Sequence, residues 1–162
     1  ISINLSGLEL EQLRVEPLVA LLQQQGVDPA DFILELCGDH LMRRSESLSG
    51  TLTKLRAVGI KIYLNNVGEG RFNFSKFNQI SIDGIKLDRS LFTNPSCTYS
   101  QTVIRSLLLL LLSESLGINV VACGVETQAQ WAFLRQHGCH GVQGRLLAPP
   151  MSPNELETYL ET

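Results

Sequence analysis

The chain predicts an α/β fold in which parallel strands alternate with helices, either as an open sheet or as a barrel. Two observations carry this. Short apolar or alternating runs recur between amphipathic segments that end in glycine, and polar residues stand at the carboxyl end of one strand after another. At 162 residues, with 44% apolar and 18% charged residues, the chain is long enough for one domain with a real core.

The elements follow in order. ISINLS (1–6) alternates apolar and polar residues as a strand. Residues 9–25 read as one helix, or as two short ones divided at Pro17, and Gly26 stops them. Asp28-Pro29 turns the chain into a second strand over 32–37. Ser45 can cap a helix running to Val58, with Gly59 as its stop. The third strand spans 60–66, a short helix follows over 72–80, and GIKLD (84–88) is a fourth strand. The longest helix is expected over 98–116, before a buried strand at 118–125 and a helix from Thr127 to Gly138. GVQG forms a last short strand, and SPNELETYL a closing helix with Ser152 as cap and Pro153 in its first turn.

A net charge of −3 gives no electrostatic footprint for nucleic acid. Cys37, Cys97, Cys123 and Cys139 are widely spaced with no CxxC pair, which points to a reduced, cytoplasmic setting. HGCHG (137–141) invites a zinc reading, but no second ligand pair stands at a suitable spacing, so a plain turn is expected. No cationic, apolar leader is visible. The chain begins at Ile1 inside a strand-like run, so the true start is expected upstream. Leu107–Leu112 covers more than one helical turn and is too short to span a bilayer, so no membrane contact is expected from this segment. That helix is either covered on both sides or offers a surface for a protein partner or for self-association.

In a parallel barrel, chemistry gathers at the carboxyl ends of the strands. Those ends supply Asn4, Glu35, Asn65 with Asn66, Lys86 with Asp88, Cys123 with Glu126, and Gln143. The alternative is that each polar residue merely caps its strand.

The set resembles the EAL family, bacterial phosphodiesterases that linearise cyclic di-GMP. ISINLS is similar to that family's Asn-bearing strand, LELCGD to its Glu-x-Thr-Glu strand end, and LNNVGEG to its Asp-Asp-Phe-Gly-x-Gly segment. GIKLDRSLF resembles its Lys-x-Asp segment, and ACGVETQAQWAFLRQHGCHGVQG its Ala-Glu-Gly-Val-Glu entry and Gln-Gly strand. The resemblance runs through residues 1–162 as a single degenerate domain, the later two-thirds of the family's, without the Glu-Ala-Leu signature. It implies a partial TIM-type (βα) barrel, roughly the last six strand–helix units. It also implies acidic strand ends that hold two Mg²⁺ or Mn²⁺ ions against a phosphate.

Carried over by position, Asn4, Glu35, Lys86 and Gln143 survive as ligand-binding or vestigial catalytic residues. Glu126 survives as a supporting acid, and Asp88 as a partner of Lys86. The departures weigh more. The metal-binding aspartates are Asn65 and Asn66, a glutamate is Cys123, Gly38 replaces an acid, and Arg71, Phe72 and Asn73 alter the following loop. Glu35 alone cannot compensate two divalent ions, and neutral amides would relieve the repulsion of clustered acids. The expectation is therefore a non-catalytic signalling domain with no metal cofactor, acting as a cyclic di-GMP receptor or a protein-interaction module. The alternative is an active phosphodiesterase using Mg²⁺ or Mn²⁺. Lys86 pairs with phosphate, Glu35 or Asp88, while Arg71 and Arg145 are phosphate contacts or simply solvated. Open barrel edges further imply a longer polypeptide or an oligomer.

Overall fold

The computed structural model describes residues 1–38, 41, 45–67, 81–93 and 117–161. The helices expected over 72–80 and 98–116, with Leu107–Leu112, and the loop bearing Arg71, Phe72 and Asn73 lie outside these residues.

Six strands form one sheet in chain order, every neighbouring pair parallel: β1 Ser2–Leu5, β2 Ile33–Cys37, β3 Lys61–Val67, β4 Gly84–Leu87, β5 Asn119–Cys123 and β6 Gly141–Gln143. Alternating with helices, the sheet curls into a half-barrel, the partial (βα) barrel that the sequence predicts. Each strand lies within a residue or two of its expected place.

Strand periodicity then sorts the side chains into two faces. Leu34, Leu36, Ile62, Leu64, Ile85, Leu87, Val120 and Ala122 share the outer face and are buried. Helix α3, Ser45–Ala57, packs on β3 and adds Leu48, Leu52 and Leu55, which recur at helical spacing, to the core that holds all of these but Ala122, which packs with Val125 and Leu134. The opposite face carries Ser2, Asn4, Glu35, Tyr63, Asn65, Lys86, Asn119, Cys123 and Gln143, a polar row of the kind a barrel turns inward.

The region after β1 corrects one expectation. It forms two helices, α1 Gly7–Gln12 and α2 Val15–Gln24, divided at Leu13-Arg14 and not at Pro17. Pro17 sits in the first turn of α2, where its missing N–H removes no helical hydrogen bond. The break comes where Leu13 and Arg14 adopt extended backbone. Ser6 starts α1 through a capping box with Glu9. Asp28 caps a single 3₁₀ turn, Pro29–Asp31, before β2. Helix α4 is one turn, Ser90–Thr93. Thr127 with Gln130, and Ser152 with Glu155, make capping boxes for α5 Gln128–Gln136 and α6 Pro153–Leu160. Among the described residues no helix is long and apolar enough to cross a membrane.

Candidate functional site

The site starts from an irregularity in β3. Leu64 pairs with Ile85 and Val67 with Leu87, so Asn65 and Asn66 together face the single residue Lys86. This is a β-bulge, which bends the strand and re-aims its side chains. Asn66 takes a left-handed φ of 56°, a conformation that asparagine tolerates better than most residues. Its N–H donates to Asn65 Oδ1 at 2.9 Å, which closes the bulge.

With that oxygen engaged, Asn65 turns its amide nitrogen into the barrel. Nδ2 donates to Glu35 Oε2 at 3.0 Å and to Asn4 Oδ1 at 2.8 Å. Which end of the amide is nitrogen is fixed from both sides, because a carboxylate can only accept and the Asn66 N–H can only donate. The other oxygen of Glu35 accepts from Lys86 Nζ at 2.7 Å and from Ser2 Oγ. Glu35 is 4% exposed and the Lys86 side chain 12%, so this is a nearly buried ion pair satisfied by further hydrogen bonds.

The structure thus joins Asn4, Glu35, Asn65 and Lys86 into one network across β1 to β4. Asp88 stands apart from it. Its carboxylate accepts the Ser90 N–H at 2.8 Å, and of the two acidic partners expected for Lys86 the structure pairs it with Glu35 and not with Asp88. Cys123 and Gln143 meet across β5 and β6, with the thiol 3.8 Å from Gln143 Oε1. Burial pushes the Cys123 thiol above its ordinary pKa, while the field of Lys86 pulls it the other way. Glu126 is exposed, and its backbone N–H donates to Gln130 Oε1.

Two contributors escaped sequence reading. Ser2 lies two residues before Asn4 on the same face, so the alternation of β1 contained the signal. Tyr63 lies two residues before Asn65, and its ring fills the space above Gly84, where an added Cβ would come within 2.5 Å of it. Its hydroxyl accepts from Asn119 Nδ2 at 3.1 Å, closing the inner face below the network. The HGCHG turn is structural: the His140 ring accepts the Val120 N–H, His137 Nδ1 contacts Phe133 O, and the Cys139 thiol donates to Gly141 O.

As a ligand set for two divalent ions these residues do not fit. Glu35 is the single acid of the network, already facing Lys86, Ser2 and Asn65, and the Asn65 oxygen accepts from the backbone, so the group has too little negative charge for two divalent ions. Among the described residues no three His, Cys, Asp or Glu side chains gather where a metal could bind.

Residues 1–150 match the EAL domain family. The chain is 31% identical over 161 residues to the cyclic di-GMP phosphodiesterase PA2567 of Pseudomonas aeruginosa, covering 99% of this chain and 27% of that protein. Among solved structures it superposes on the PaMucR phosphodiesterase in complex with c-di-GMP, with a TM-score of 0.86 and 28% identity, over 96% of this chain and 63% of that one. It also superposes on Klebsiella pneumoniae BlrP1 in a manganese and cyclic di-GMP complex, with a TM-score of 0.80 and 27% identity, over 90% and 37%. The chain therefore spans about a quarter of the length of that curated relative.

Proposed function

Starting from the fact that this chain belongs to the EAL domain family, we propose that it is a non-catalytic signalling domain that receives cyclic di-GMP, the later part of one degenerate domain over residues 1–162. The observation that supports this reading most is the commitment of Asn65: its oxygen holds the Asn66 N–H and its nitrogen holds Glu35 and Asn4. Where hydrolysis would need several carboxylates around a pair of cations, the network of Asn4, Glu35, Asn65 and Lys86 holds a single acid, and that acid is already paired.

Recognition demands less. Asn4 accepts through its oxygen and keeps its amide nitrogen for a ligand, Lys86 has donors beyond the one given to Glu35, and Gln143 is exposed beside Cys123. These groups suit phosphate oxygens and nucleobase edges without a bridging metal. The relatives named above bind or act on cyclic di-GMP by their names, which supports the same ligand here.

Calorimetry with cyclic di-GMP, run once with Mg²⁺ and once with EDTA, tests the proposal. We expect micromolar binding that is indifferent to the chelator, and no linear product. Metal-dependent turnover would replace this reading with that of a phosphodiesterase. Absence of binding under both conditions would leave a protein-interaction module.

A further inference from the structure

We propose that Lys86 is a built-in cation that compensates Glu35 without any metal, so that this buried pair is neutral by itself. The inference rests on the metal-free reading above and extends it to how the site holds together.

Glu35 is the charged residue buried in the core among the described residues. A carboxylate there carries a large desolvation penalty unless it is paired and hydrogen-bonded. Every group the structure places on it is a donor: Lys86 Nζ, Ser2 Oγ and Asn65 Nδ2. The bulge gives the lysine its position, since Asn65 and Asn66 both lie opposite Lys86 and leave its ammonium directed across β3 toward β2. The acid that follows two residues later, Asp88, is turned to the Ser90 N–H. A carboxylate facing one cation and two neutral donors is compensated in charge and largely satisfied in hydrogen bonds, so a divalent ion would find no uncompensated charge there.

Thermal melting of the chain, of Lys86→Met and of Glu35→Gln/Lys86→Met tests this, each in EDTA and in MnCl₂. Lys86→Met keeps the length of the side chain and removes the charge. It should lower the melting temperature by several degrees, and the double variant should recover most of the loss, because no buried charge is left unpaired. MnCl₂ should leave the unaltered chain where EDTA does. If Lys86→Met does not fold, a folded double variant supports the proposal and failure of both overturns it. Equal melting of Lys86→Met and the unaltered chain would also overturn it. So would a double variant no more stable than the single one, or a Mn²⁺ stabilisation that Glu35→Gln abolishes. The nucleotide titration is read separately: its failure, with these melts as expected, removes the receptor reading and leaves the built-in cation in place.

Discussion

At the scale of single residues, the decisive atom is Asn65 Nδ2. It stands 3.0 Å from a Glu35 oxygen and 2.8 Å from the Asn4 oxygen. Asn65→Asp would set a carboxylate against both acceptors, so the variant should lose about 1–3 kcal/mol of stability by chemical denaturation. Part of that loss should return when Mn²⁺ is added, since a cation would then have two acids to bridge. A variant as stable as the unaltered chain would show that the amide donates nothing that matters. The cysteines give a second test. Burial disfavours the thiolate of Cys123 and Cys139, so both pKa values lie above the ordinary one, and little thiolate is present at pH 7. For a raised pKa the contribution to stability is complete below the unfolded value and is lost as pH rises from there through the folded one. Alkylation followed by mass spectrometry at pH 7.5 should label exposed Cys37 well before Cys123 and Cys139. The residue types at the strand ends were legible in the sequence. The donor direction of Asn65 was not, because it depends on a bulge that no alternation pattern reveals.

At the scale of elements, two glycines separate crowding from freedom. Gly144, just past β6, faces the Val125 backbone so closely that an added Cβ would lie 2.1 Å from the Val125 oxygen. That oxygen also accepts the Leu146 N–H, and the Val125 N–H donates to Gln143 O. Gly144→Ala must therefore move backbone, and about 1–3 kcal/mol or more should be lost in thermal or denaturant melts. Gly50 lies within α3, and a methyl group added there would meet no atom within 4 Å. Gly50→Ala should stabilise the chain by about 0.5–1 kcal/mol in the same melts. The reverse order would mean that β6 is not packed as described. Sequence reading located the closing helix well because its cap is local, the Ser152 hydroxyl meeting a free N–H group, whereas the equivalent caps Ser6 and Thr127 went unread. It misplaced the break between α1 and α2 because the proline that suggests a boundary lies where a helix start accepts it.

At the scale of the whole molecule, six parallel strands make part of a barrel, and among the described residues β1 and β6 each pair with a strand on one side only. Such edges invite pairing with other chains. Light scattering on the 162 residues alone should therefore find self-association, and a stable, monodisperse monomer would count against it. The parallel direction of the strands followed from the alternation of strand and helix, their barrel arrangement from the resemblance to the EAL family, and the polar inner face from the residues that end each strand. What holds the inner face together was less legible, because Ser2, Glu35, Asn65 and Lys86 come from four strands and meet only once the register is set. All of this converges on the account of a mouth that has exchanged cation ligands for hydrogen-bond donors. The most direct test is a Mn²⁺ titration of the chain with cyclic di-GMP present, followed by electron paramagnetic resonance. The account predicts that the Mn²⁺ stays in solution. A pair of bound ions whose signal disappears in Glu35→Gln would contradict it.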